Sequence, residues 1–153
     1  MIEPGTAVPD FTLRREDGSD FTAADLDGKR TVLVFYPFAF SPVCTDQLNL
    51  YEDVLDEFSA QGATLFAVSC DASYSQIAFR DKLGVSIEQL SDFEPKGAAC
   101  RAFGVYHPEG MPERALVLVG PDRVVQWSWL GEHPGVLPGA NLIFDALASP
   151  PAA

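Results

Sequence analysis

The sequence predicts a single α/β domain, a central mixed sheet with helices on both faces, and three observations carry that expectation. Two short, almost unbroken apolar runs rich in β-formers, Thr31–Tyr36 and Ala63–Ser69, read as strands buried on both faces. Between them Leu48, Tyr51, Leu55 and Phe58 recur at three- and four-residue steps, with Glu52, Asp53, Asp56 and Glu57 on the other side, as an amphipathic helix requires. Farther on, Ala115–Val119 and Val124–Trp129 flank Gly120-Pro121-Asp122-Arg123, the turn signal of an antiparallel pair. The first two observations make a parallel βαβ half of right-handed connection. The third adds an antiparallel half.

The remaining elements follow in chain order. Phe11-Thr12-Leu13 and Asp20-Phe21-Thr22 form a small hairpin around Asp17-Gly18. The first helix starts with Ser41 as N-cap and Pro42 at the first helical position, and Gly62 lies just past its end. A second helix is expected over Ser73–Leu83, stopped by Gly84, and a short extended segment over Ile87–Leu90. Phe93–Phe103 reads as another helix ending at Gly104, and Gly139–Leu147 as the last. Residues 148–153 are expected to fray as a Pro/Ala tail. With 153 residues and no repeat, linker or low-complexity stretch, the whole of 1–153 is one domain.

Composition narrows the function classes. Ten Lys plus Arg against 22 Asp plus Glu leave a net charge of −12, and the basic residues are scattered. Such a surface repels phosphate backbones and anionic headgroups, so neither nucleic acid nor a membrane is an expected partner. No apolar stretch approaches the ~18–20 residues of a membrane span, the longest being broken at Pro37. Met1–Gly5 lacks the marks of a secretory signal. The three cysteines, Cys44, Cys70 and Cys100, are odd in number and widely spaced. That pattern suits a reducing cytoplasm rather than a secreted disulfide framework.

Chemistry concentrates in Tyr36–Cys44. Cys44 follows a buried strand and falls in the first turn of the capped helix, where free backbone N–H groups and the positive dipole end favour a thiolate. Ligands in open α/β sheets also bind at the carboxyl ends of strands. On position alone, a reactive nucleophile and a small buried hydrophobe stand equal.

The pattern Pro37-x-x-x-Ser41-x-x-Cys44 resembles the Pro-x-x-x-Thr/Ser-x-x-Cys signature of peroxiredoxins, thiol peroxidases built on a thioredoxin-like core. Val8–Leu13, Leu90-Ser91-Asp92 and Phe103-Gly104-Val105 resemble the same family in order, and Arg114 sits where it keeps an active-site arginine. The overall length and Ala39-Phe40 are similar to its one-cysteine group of alkyl hydroperoxide reductases. The resemblance implies a thioredoxin-like (peroxiredoxin) fold and reduction of hydrogen peroxide and organic hydroperoxides. Cys44 would be oxidised to sulfenic acid and restored by an external thiol, thioredoxin or a glutaredoxin-like protein. Arg114 would stabilise the thiolate and orient the peroxide, with Gln47 supporting it. Ser41 would complete the cradle for developing charge, and Pro37 would shield the sulfur. It further implies a homodimer and no metal, haem or flavin.

Departures from the family pattern bear on recycling. Serine replaces the commoner threonine at 41, and Asn49 stands where one peroxiredoxin group has its resolving cysteine. Arg80 and Asp81 occupy the helix where another group has one. Cys70 and Cys100 are read as inert core residues, neither resolving Cys44. No Cys-x-x-Cys, phosphate loop or zinc spacing occurs, His107 and His133 are placed in loops, and Trp127, Trp129 and Phe144 are assigned to core or interface. The rival readings are a peroxide sensor or thiol relay, and a non-catalytic thioredoxin-fold interaction module.

Overall fold

The computed structural model describes residues 1–149. Its strands are β1 (Thr12–Arg15), β2 (Asp20–Thr22), β3 (Arg30–Phe35), β4 (Ala63–Ser69), β5 (Glu88–Ser91), β6 (Ala115–Val119) and β7 (Val125–Leu130). They form one sheet in the order β2-β1-β5-β4-β3-β6-β7. β3 pairs parallel with β4 from Arg30↔Ala63 to Phe35↔Val68, and β4 pairs parallel with β5. On the other side β3 pairs antiparallel with β6, and β6 with β7 across the expected turn. The chain thus has a mixed sheet with a parallel and an antiparallel half.

The helices are α1 (Pro42–Asp53), α2 (Leu55–Ala60), α3 (Ser73–Leu83), α4 (Ala98–Ala102) and α5 (Ala140–Ala148). Two differ from expectation. The first amphipathic run is two helices, because Val54 leaves helical dihedrals (φ −119°, ψ 16°) and donates its N–H to the carbonyls of Glu52 and Tyr51. The helix expected over Phe93–Phe103 is only the short α4. Pro95 cannot supply a helical N–H, and Gly97 takes a left-handed φ of 72°, so the helix starts after it. At the C-terminal end Ala148 still belongs to α5, whereas 150–153 of the expected tail lie outside the described residues.

The period-two alternation of the central strands sorts the core into two layers. Val32, Val34, Leu65 and Ala67 face one way and pack with Leu48, Phe58, Phe79 and Ile143 from α1, α2, α3 and α5. Leu33, Phe35, Phe66 and Val68 face the other way and pack with Phe21, Leu26, Cys100 and Phe103. Cys44 belongs to the first layer, Cys70 and Cys100 to the second.

Two glycines separate backbone strain from steric exclusion. Gly84 ends α3 at φ 69° with open space where a Cβ would stand, whereas a Cβ on Gly97 would enter the ring of Tyr106. Gly84→Ala is expected to cost about 1 kcal/mol from the left-handed backbone alone. Gly97→Ala adds overpacking and should cost about 3 kcal/mol. Urea unfolding of both variants checks the order, and equal losses contradict it.

Candidate active site

The site is assembled where two antiparallel strands exchange ends. The last residue of β3, Phe35, pairs with Ala115, the first of β6, so the loop leaving β3 and the residue preceding β6 meet at one edge. Arg114 is that preceding residue. Its guanidinium is buried (2% exposed) and donates from Nη2 to Cys44 Sγ at 3.1 Å. Nη1 donates to Gln47 Oε1 at 2.6 Å and Nε to the Pro134 carbonyl at 2.6 Å. None of these three partners is a carboxylate. A buried cation without a counter-ion is costly, and the sulfur is the one of its three partners whose chemistry allows a negative charge.

Cys44 is the third residue of α1, after Pro42 and Val43, and its side chain is fully buried. Gln47 and Tyr51 follow at steps of three and four, which places all three side chains on one face of the helix. Gln47 Nε2 donates to the Tyr51 hydroxyl at 3.3 Å, and that hydroxyl donates to the Pro138 carbonyl at 2.8 Å. Burial pushes the Tyr51 phenol up to about 12, so it stays a neutral donor and fixes which end of the Gln47 amide faces Arg114. The result is a continuous chain of bonds from the Pro138 carbonyl to the sulfur.

The loop between β3 and α1 is held in an unusual backbone shape. Phe40 has φ 70°, a left-handed conformation that a bulky side chain rarely adopts. Its half-exposed ring rests against Phe79 at 5.1 Å between centroids. The neighbouring Ala39 N–H donates to Asp71 Oδ2 at 2.9 Å, and the Ser69 hydroxyl donates to the same oxygen at 2.8 Å. These anchors tie the loop to the end of β4.

The other sequence-predicted residues are placed as follows. Pro37 is buried, directly after the strand extension in which the Tyr36 N–H donates to the Val68 carbonyl. Ser41 holds the N-cap position, but its side chain does not cap α1. Its hydroxyl donates to the Phe38 carbonyl at 3.0 Å, a correction to the expected cap. That bond stabilises the loop and leaves the first-turn N–H groups of α1 uncapped by the serine. Cys44, Arg114 and Gln47 are brought together directly, whereas Ser41 and Pro37 lie in the loop between β3 and α1.

Tyr51, Pro134 and Pro138 join the site beyond the residues that the sequence singles out for it. Tyr51 reads from periodicity as one more core residue, and the only available signal was its shared helical face with Cys44 and Gln47. The carbonyls of Pro134 and Pro138 lie in a loop that carries no local chemical signature. Trp127, Trp129 and Phe144 pack against the first core layer.

Comparison with known proteins finds relatives in both sequence and fold. A model of the AhpC/TSA family matches residues 4–128. Alkyl hydroperoxide reductase E of Mycobacterium tuberculosis is 30% identical over 151 residues, covering 97% of this chain and 98% of that protein. A putative peroxiredoxin of Coxiella burnetii is 32% identical over 135 residues, covering 84% and 88%. Among solved structures, the peroxidoxin BcpB of M. tuberculosis superposes with a TM-score of 0.81 at 28% identity, covering 97% and 96%. AhpC of Enterococcus faecalis superposes at 0.85 with 24% identity, covering 96% and 91%, a likeness of fold.

The bond network makes a stability forecast. Gln47→Leu keeps bulk but removes the acceptor of a buried guanidinium N–H, which should cost about 1–3 kcal/mol. Tyr51→Phe should cost about 1 kcal/mol, since it removes one neutral hydrogen bond at constant shape. Chemical denaturation measures both, and a Gln47→Leu protein as stable as the parent contradicts the network.

Proposed function

The chain belongs to the AhpC/TSA family and is a thiol-dependent peroxidase, and from that premise we propose that Cys44 is the sulfur that attacks the peroxide. The observation that carries the assignment is the Arg114 Nη2–Cys44 Sγ contact at 3.1 Å inside a buried pocket of neutral acceptors. The thiolate attacks one peroxide oxygen in line, and negative charge builds on the departing oxygen. The Arg114 guanidinium, permanently charged and already oriented by Gln47 and Pro134, lies where it stabilises both the sulfur and that charge. Its donors are positioned before substrate arrives, so little reorganisation is needed at the moment of reaction.

Ser41 and Pro37 act on access rather than on charge. Pro37 walls the sulfur from bulk water, and the Ser41–Phe38 bond holds the loop above the first turn of α1. Complete burial of Cys44 favours small or slender hydroperoxides, admitted where that loop yields. Half-exposed Phe38 and Phe40 at its crest favour an apolar organic substituent on the peroxide.

The oxidised product is a sulfenic acid on Cys44, which an external thiol or a thioredoxin- or glutaredoxin-like reductant reduces back to the thiol, losing the oxygen as water and becoming a disulfide itself. Cys70 and Cys100 lie in the opposite core layer, with the sheet between them and Cys44, which supports recycling from outside. A reducing cytoplasm is the compartment in which such recycling runs. The exposed aromatic crest of Phe38, Phe40 and Phe93 further supports a homodimer paired over this edge. Sedimentation at micromolar concentration should show the dimer mass; monomer alone contradicts that part.

Arg114→Ala is the direct test of the charge assignment. Loss of one preorganised donor should cost about 3–4 kcal/mol at the transition state, so peroxide attack slows by roughly a hundred- to a thousandfold with the fold retained. Stopped-flow oxidation reads it, and attack at the parental rate rejects the role. Turnover with an external thiol should persist in the Cys70→Ser/Cys100→Ser double variant. An intramolecular disulfide to Cys44 forming as fast as its sulfenate disappears contradicts external recycling.

A further inference from the structure

On the face of the sheet away from Cys44, the Sγ atoms of Cys70 and Cys100 and a carboxylate oxygen of Asp92 all lie within 4.8 Å of one another. The arrangement is built by the fold. β4 and β5 end in register at Ser69↔Ser91, so Cys70 and Asp92 leave the sheet close together, tied by the Asp92 N–H donating to the Ser69 carbonyl at 2.8 Å. Asp92 then docks α4: its Oδ1 accepts the Ala99 N–H at 3.1 Å and its Oδ2 the Cys100 N–H at 2.8 Å. The docking brings Cys100 to Cys70.

The two sulfurs are not equivalent. Cys100 is fully buried, whereas Cys70 is 8% exposed and lines a cavity of about 360 Å³ shared with Pro37, Phe38, Phe93 and Lys96. The hydrogen bond from Cys100 holds the Cys70 thiol below its ordinary value, with the Lys96 cation aiding and burial opposing. The same bond, together with burial, pushes Cys100 up. Burial raises the Asp92 carboxyl, which makes its carboxylate a stronger base than an exposed one. A thiolate-forming sulfur at a cavity mouth, a buried protonated thiol behind it and a buried base beside that thiol together make a dithiol arranged for sequential reaction.

We propose that Cys70, Cys100 and Asp92 form a second redox site, a dithiol that a hydroperoxide closes to a disulfide independently of Cys44. The Cys70 thiolate attacks a peroxide oxygen; the O–O bond breaks, the alkoxide takes a proton and leaves as alcohol or water, and Cys70 carries a sulfenic acid. Cys100 passes its proton to Asp92 and attacks the Cys70 sulfur. The S–O bond breaks, and the departing hydroxide takes the proton back from Asp92 as water. Two thiols are oxidised to one disulfide and one hydroperoxide is reduced to alcohol and water. A disulfide needs the sulfurs at about 2.05 Å. The five-residue α4, between Gly97 and Gly104, is the element that carries Cys100 across. Asp92 serves as a proton acceptor because burial raises its carboxyl, against the two amide bonds that favour the carboxylate.

Cys44→Ser protein isolates this site from the peroxidase centre. It is treated with hydrogen peroxide or cumene hydroperoxide, denatured, alkylated and peptide-mapped by mass spectrometry. The expected result is a Cys70–Cys100 linked peptide, two hydrogens lighter and reversed by dithiothreitol. Adding Cys100→Ser should stop the reaction at a Cys70 sulfenic acid that dimedone labels. Adding Asp92→Asn should leave that step and slow disulfide closure roughly a hundredfold, as loss of a positioned base does. Should Asp92→Asn fail to fold by circular dichroism, the linked peptide and the Cys100→Ser trap decide the matter. Recovery of both cysteines as free thiols, at peroxide excess that oxidises free cysteine in the same tube, overturns the proposal. So does a Cys70 sulfenate that never closes with Cys100 present. Either failure leaves the reading of Cys44 untouched.

Discussion

A guanidinium buried against a sulfur is the interaction on which the rest of this structure depends. Arg114 is almost wholly removed from water and makes its contacts with two oxygens and Cys44 Sγ. Burying a full positive charge among neutral groups is unfavourable unless geometry is good and an anion is at hand. The fold supplies the geometry through the β3–β6 register, through three residues on one face of α1, and through a proline-rich loop that lends two carbonyls. In the proposed function the anion is the attacking form of Cys44. On that proposal, reactivity and structural satisfaction coincide at one contact, the 3.1 Å bond from Arg114 to Cys44.

Much of the frame was legible because it rests on local rules. Unbroken apolar runs at Thr31–Tyr36 and Ala63–Ser69 could be only central strands, and Gly84 marked the end of α3. Cys44 in the first turn after Pro42 was readable from capping preferences alone, and the family pattern added Arg114, Ser41 and Pro37. What could not be read was set by tertiary contacts. The Ser41 hydroxyl takes the Phe38 carbonyl because Phe40 turns the loop back on itself, a conformation that no residue of the loop announces. The helix expected over Phe93–Phe103 is short because the chain turns at Pro95 and Gly97, and because Asp92 offers α4 its amide acceptors from outside the helix. Tyr51 looked apolar from its period; its hydroxyl matters only once the Pro138 carbonyl arrives from the far end of the chain.

The sheet also divides the sulfur chemistry. Parity along β4 sends Leu65 and Ala67 toward the Cys44 layer, and Phe66, Val68 and Cys70 toward the other. The five inner strands of the sheet run between these two layers. One face holds a lone cysteine beside a cation, suited to attack and then to rescue from outside. The opposite face holds a pair of cysteines beside a carboxylate, suited to closing on itself. The cavity beside Cys70 touches Pro37, so the two chemistries share a wall although they do not share a core.

The central claim is that Arg114-bound Cys44 is the sulfur that meets the peroxide first. The direct measurement is a single-turnover experiment: reduced protein is mixed with one equivalent of hydrogen peroxide, quenched at millisecond intervals with a sulfenate-specific reagent, and mapped by mass spectrometry. The account predicts label on Cys44 at the earliest times, accumulating orders of magnitude faster than on free cysteine. Label reaching Cys70 before Cys44, or a Cys44 rate equal to that of a free thiol, contradicts it.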